Sequence, residues 1–157
     1  MVTEAMNENE VELLLVEDDP NDVELAMRSL RKHHLANRIH VARDGEEALD
    51  FLHHRGAFAH RAANGPPKVV FLDLKLPKIN GLEVLREMKS DSRLRAIPVV
   101  VMTSSREQRD MIEGYRLGVN SYIQKPIDFD QFQNTIKDLG YYRLVVNESP
   151  PPEAFQG

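Results

Sequence analysis

The sequence predicts an α/β domain, a parallel β-sheet with helices on both faces. Three observations predict it. Short apolar runs of strand length alternate five times with stretches whose apolar residues recur at helical spacing. The apolar runs are continuous, the pattern of strands buried on both faces. The chain has 157 residues, which is room for one domain at about 150 residues each. It is 41% hydrophobic and 29% charged, with a mean hydropathy of −0.44. That balance fits a soluble globular domain, which buries about 70% of its unfolded surface. No apolar run approaches the ~20 residues that span a bilayer. The start, MVTEAMNENE, is acidic and lacks the basic-then-apolar order of a secretion signal, so a cytoplasmic location is expected. The absence of cysteine excludes disulfides, thiolate catalysis and Cys-ligated metals. A net charge of −5 argues against a surface built to neutralise phosphates, and no DNA or membrane partner is expected.

Residues 1–10 are polar and acidic without periodicity and read as a disordered lead. Val11–Glu17 (VELLLVE) is the first strand. Asp19-Pro20 then signals a helix start, an N-cap followed by proline in the first turn. Val23, Ala26, Met27 and Leu30 supply that helix's apolar face. Arg38–Ala42 is the second strand, and Asp44-Gly45-Glu46-Glu47 opens a helix facing inward with Ala48, Leu49, Phe51 and Leu52. Gly56–Pro67 reads as a loop of small residues, Gly and Pro. Lys68–Asp73 (KVVFLD) is the third strand, and Leu82, Val84, Leu85 and Met88 mark the next helix. Pro98–Thr103 is the fourth strand, and Ser105-x-x-Gln108 resembles a capping box for the helix after it. Asn120–Gln124 is a weaker fifth strand, stopped by Lys125-Pro126. Asp128 caps a last helix carrying Phe129, Phe132, Ile136 and Leu139 and ended by Gly140.

In an open parallel sheet, ligands bind outside the carboxyl ends of the strands. The first strand ends on Glu17, Asp18 and Asp19, the third on Asp73, the fourth on Thr103 and Ser104, and the fifth on Lys125. Clustered carboxylates repel one another and call for a cation, and hard oxygen ligands suit Mg²⁺. Asp73 is then placed as a nucleophile toward phosphorus, with the metal, an ammonium and a hydroxyl to neutralise the phosphoryl oxygens. Taken singly, each residue reads as a cap or a solvated turn residue, Asp19 above all as a cap. On four strand ends of one sheet, together, they read as a site.

At these residues the sequence resembles the response-regulator receiver domains of two-component signalling. LLLVEDD, FLDLKLPKINGLEVL, PVVVMTSS and GVNSYIQKP stand in the order and spacing of that family over about residues 11–140. The resemblance implies a flavodoxin-like, doubly wound (βα)5 fold with strand order 2-1-3-4-5. It implies that Asp73 is the phosphoacceptor and that Glu17, Asp18, Asp73 and the backbone carbonyl of Lys75 hold Mg²⁺ or Mn²⁺. Thr103 and Lys125 would meet the phosphoryl group, and Tyr122 would be the aromatic switch that follows Thr103. Lys75 and Ser105 would tune phosphoryl lifetime, and Pro77 and Gly81 match the loop after the acceptor. The VEDDPND start, the long Gly56–Pro67 loop and the VVNESPPP tail resemble the stand-alone regulators that partner phytochrome-type histidine kinases.

Residues 141–157 form a C-terminal extension, too short for a DNA-binding output module. Its apolar Leu144, Val145 and Val146 read as an arm across a homodimer, beside the face of the fourth helix, fifth strand and fifth helix; the alternative is that they fold back on their own domain. All six histidines lie between His33 and His60; His33 and His34, about 100° apart on a helix, do not share a metal easily. Arg28, Arg31 and Lys32 read as the solvated back of the first helix, whose start around Asp19, Asn21 and Asp22 would receive the kinase. Two other function classes compete. An aspartyl phosphatase usually has a second acid two residues after the first, where this chain has Lys75. A nucleotide switch needs a phosphate-cradling glycine loop, and neither G-x-x-x-x-G-K-[ST] nor G-x-G-x-x-G occurs. A binding module switched by phosphorylation, acting on a partner or passing its phosphoryl group to a further histidine, accounts for the most residues and is not an enzyme in the ordinary sense.

Overall fold

The computed structural model describes residues 13–32, 38–62, 64–104, 117–128, 130–131 and 134–135. Five strands form one parallel sheet in the order β2-β1-β3-β4-β5: β1 Leu13–Val16, β2 Ile39–Ala42, β3 Val69–Asp73, β4 Val99–Thr103 and β5 Ser121–Gln124. Among the described residues three helices lie between strands, α1 Pro20–Lys32, α2 Gly45–His53 and α3 Gly81–Ser90. The fold class is the one the sequence predicts, and the strand order is the one its family resemblance implies. The helix expected after β4, with Ser105 and Gln108, lies outside the described residues. So do Phe129, Phe132, Ile136, Leu139 and Gly140 of the last helix, His33 and His34, the lead, and the extension with Leu144, Val145 and Val146.

The continuous apolar runs are explained by burial on two faces. Every residue of β1, β3 and β4 is buried. Leu13, Leu15, Val69, Phe71, Val100 and Met102 face α1 and meet Val23, Ala26 and Leu30. Leu14, Val16, Val70, Leu72, Val99 and Val101 point the other way, toward Ala48, Leu49, Phe51 and Leu52 of α2 and Val84, Leu85 and Met88 of α3. Each such aliphatic side chain contributes about 2 kcal/mol on burial. Right-handed crossovers account for the two layers. The α1 crossover runs outward from β1 to β2, whereas those of α2 and α3 run back across the sheet. The winding direction therefore reverses at β1, and its carboxyl end and that of β3 flank the crevice where such folds bind ligands.

One segment differs from its sequence reading. Within Gly56–Pro67 the chain forms a 3-10 helix, Gly56–Arg61. An aromatic stack holds it. The His40 ring lies flat on Phe51 with centroids 4.4 Å apart. Phe58 meets both rings edge-on, at 5.1 Å and 5.3 Å, and the Arg61 guanidinium sits 4.5 Å above Phe51. The extra residues thus cover α2 beside the edge strand β2.

Candidate functional site

The β1 run delivers Glu17 as it leaves the sheet, fully buried, and then Asp18 and Asp19, both exposed. Asp19 is the cap that Pro20 requires: its Oδ1 accepts the backbone N–H groups of Asn21 at 2.8 Å and Asp22 at 3.4 Å. Glu17 Oε2 accepts the Asp19 N–H at 3.2 Å. β3 delivers Asp73, buried, whose Oδ1 accepts the Lys75 N–H at 3.3 Å. Glu17, Asp18 and Asp73 each place a carboxylate oxygen within 4.8 Å of the others. Lys125, after β5, enters with Nζ 2.6 Å from Glu17 Oε1, 3.0 Å from Asp22 Oδ2 and 3.4 Å from Asp73 Oδ2. Its backbone N–H donates to the Thr103 carbonyl at 2.8 Å, and its peptide bond to Pro126 is cis.

Sequence reasoning thus named four residues that converge here. Thr103 ends the neighbouring strand β4, buried, one residue beyond the register partner of Asp73. Tyr122, opposite Val101 in β5, is half-buried against the α2 and α3 side of the core. Lys75 is exposed, and with Asp18, Leu74, Leu76, Pro77, Asn80 and Leu82 it lines an open cleft of 580 Å³ beside the acids. Ser105 lies outside the described residues.

Two features escaped sequence reasoning. Asp22 joins the Lys125 contacts, although an acid in a first helical turn reads as ordinary dipole compensation. The loop 74–80 is also clamped at both ends by glycines. A Cβ on Gly81 would overlap the Asp73 carbonyl oxygen and lie 2.6 Å from Leu74 Cα; one on Gly45 would overlap the Ile79 carbonyl oxygen. Gly45 N–H donates to Pro77 O at 3.4 Å, and Lys78, with φ of 66°, reaches Asp44 and Glu46 at 3.6 Å each. The Asp44-Gly45 pair was the available signal, but it reads only as a cap.

Electrostatics set the chemistry. Burial pushes the Glu17 carboxyl up to about 7, against the pull of Lys125 and with the help of the Asp73 charge. Burial also disfavours the Lys125 ammonium, but its bonds to Glu17 and Asp22 and the Asp73 charge outweigh that and hold it above the usual lysine range. The Lys125 ammonium contacts Glu17, Asp22 and Asp73, while Glu17, Asp18 and Asp73 together make a donor set of hard oxygens that fits a small divalent cation. A cation held by Glu17 would require it ionised, whereas a raised folded-state pKa means folding favours its protonated form. For the metal-free protein this group's contribution to stability is therefore full below pH 4.5 and is lost as pH rises through about 7. Divalent-ion affinity follows the opposite sign. Calorimetric titration is expected to show it about tenfold stronger at pH 8 than at pH 6; a flat profile removes Glu17 from the ion's ligands.

A parallel sheet with its acid crevice at the winding reversal defines a class of protein, the ligand-binding α/β domains of doubly wound topology. Residues 13–137 match the response regulator receiver domain, and the chain belongs to that family. It is 42% identical over 141 residues to the probable methanogenesis regulatory protein FilR2 of Methanothrix harundinacea, covering 89% of this chain and 88% of that protein. Among solved structures, the bacteriophytochrome response regulator RtBRR is 49% identical with a TM-score of 0.81, covering 94% of this chain and 87% of that one. The Mn²⁺-bound form of response regulator Rcp1 is 33% identical with a TM-score of 0.68, covering 88% and 98%. Among the described residues no helix is long and apolar enough to cross a membrane.

Proposed function

We propose that this protein accepts a phosphoryl group on Asp73 from a sensor histidine kinase and signals through changed protein contacts. The observation that carries the proposal is the meeting of Asp73 with Glu17, Asp18 and Lys125 at the carboxyl ends of β1, β3 and β5. An Asp73 carboxylate oxygen attacks the phosphorus of a kinase phosphohistidine. The O–P bond forms, the P–N bond breaks, and the electron pair stays on the imidazole nitrogen. Glu17, Asp18, Asp73 and the Lys75 backbone carbonyl would hold Mg²⁺ or Mn²⁺, which when bound neutralises charge on the transferring oxygens. Lys125 donates to a phosphoryl oxygen from its place beside Asp73. The Thr103 hydroxyl closes on another, and Tyr122 turns into the space this leaves. Lys75, which is exposed, and Ser105 together set how easily water reaches the acyl phosphate. The test is phosphotransfer from a labelled histidine kinase to the purified chain. Acquisition of a hydroxylamine-labile label that chelation of divalent ions prevents supports the proposal; a label that survives chelation in full sinks it.

The likeness to the bacteriophytochrome response regulator RtBRR supports a kinase of phytochrome type, and this reading puts the exchange in the cytoplasm. In this reading residues 11–140 are the receiver, and residues 141–157, through Leu144, Val145 and Val146, are an arm on a second copy of the chain, beside the face of the fourth helix, fifth strand and fifth helix. Truncation after Gly140 is expected to weaken dimerisation at least tenfold, about 1.4 kcal/mol, by analytical ultracentrifugation. An unchanged dimer constant removes the arm from the interface.

A further inference from the structure

We infer that Asp22 is a positioning residue that competes with the phosphoryl group for Lys125 and so limits how readily Asp73 carries phosphate; the inference rests on the phosphoacceptor reading of the site. An ammonium has three N–H donors. Three carboxylates already crowd Lys125 Nζ: Glu17 at 2.6 Å, Asp22 at 3.0 Å and Asp73 at 3.4 Å. To take a phosphoryl oxygen, Lys125 must release a partner. Glu17 is the wrong one to lose, since its side chain is 1% exposed and would be left without its cation in the protein interior. Asp22 is 20% exposed, so water can replace the bond it gives up. Release therefore falls on Asp22, and the strength of its contact is subtracted from the phosphoryl contact.

A second effect has the same sign. Asp22 is itself an anion within reach of the Lys125 ammonium, and it adds repulsion toward an incoming phosphoryl dianion. An opposing effect, pre-positioning of Lys125, is already supplied by the shorter bond to Glu17. Dipole compensation in the first turn of α1 explains why an acid is tolerated at position 22. It does not explain a 3.0 Å contact with a side chain from the far end of the sheet.

The experiment is a titration of the full chain with beryllofluoride, a phosphoryl mimic, at saturating Mg²⁺. Wild type is compared with Asp22→Asn and with Glu24→Gln. The latter removes the same charge from the same helix but touches Arg28, at 2.7 Å. Asp22→Asn is expected to bind about fivefold more tightly, the size of one partly exposed ion-pair contact, with Glu24→Gln equal to wild type and Asp22→Glu restoring wild-type affinity. Circular-dichroism melting of each variant checks that the comparison is between folded proteins. Asp22→Asn binding no tighter than wild type, or Glu24→Gln gaining as much, overturns the inference alone. A wild type that binds no beryllofluoride overturns the phosphoacceptor reading and the inference with it.

Discussion

Asp73→Asn is expected to drop phosphotransfer from a histidine kinase below detection while leaving the domain folded. The carboxylate is the nucleophile in the proposed step, and an amide offers no oxygen that forms a stable phosphoryl ester. The structural cost is small because the substitution is isosteric and its surroundings tolerate it. The amide oxygen still accepts the Lys75 N–H now received by Oδ1 at 3.3 Å. The lost attraction to Lys125, at 3.4 Å, is offset by relief of repulsion from Glu17 and Asp18, which share the site. Unfolding free energy should shift by about 1 kcal/mol or less, in the range of single polar substitutions. Lys125→Ala is different in kind. It leaves Glu17 buried without its nearest cation, and breaking such a pair costs about 3–5 kcal/mol. Asp73→Asn therefore separates chemistry from folding where Lys125→Ala cannot. Asp73→Asn taking label at the wild-type rate would move the acceptor elsewhere, with Asp18, the neighbouring exposed acid, the first place to look.

Much of this was legible in the sequence, for a physical reason. A strand covered on both faces has no room for polar residues until it leaves the sheet, so Leu13–Val16, Val69–Asp73 and Val99–Thr103 read as unbroken apolar runs whose ends announce the crevice. The edge strand β5 has only Ile123 fully buried and gave a weaker signal. The 3-10 helix Gly56–Arg61 gave none. It is held by stacking of His40, Phe51 and Phe58, residues from three separate segments with no shared period. The same division runs through the site. Glu17, Asp18, Asp73 and Lys125 follow from strand ends and topology. Asp22 and Gly45 do not, since what matters at each is a contact with a distant segment, and local spacing encodes only a cap.

Gly45→Ala is expected to destabilise the domain and to weaken its divalent-ion site together. Space is the cause. The added Cβ would overlap the Ile79 carbonyl oxygen and sit 2.7 Å from its carbon and 2.9 Å from Ile79 Cβ. Two of these neighbours are backbone, so relief requires moving either the start of α2 or the loop 74–80. Overpacking of this kind costs about 1–3 kcal/mol, which lowers the melting midpoint by several degrees in a domain of this size. The loop is the softer of the two, but Gly81 wedges its far end against the Asp73 carbonyl, and its near end carries the Lys75 N–H that bonds Asp73 Oδ1. Displacement at Ile79 is therefore transmitted to the backbone around the acceptor. Gly65→Ala is the matched control. Its φ of +79° strains any side chain, yet no atom lies within 4 Å of the added Cβ. It should cost about 1 kcal/mol through backbone strain and leave ion affinity untouched. If Gly45→Ala melts within a degree of wild type and binds Mg²⁺ equally well, the loop is not pinned by α2. If both glycine variants weaken the ion alike, the cause is general loosening and not the Gly45–Ile79 contact.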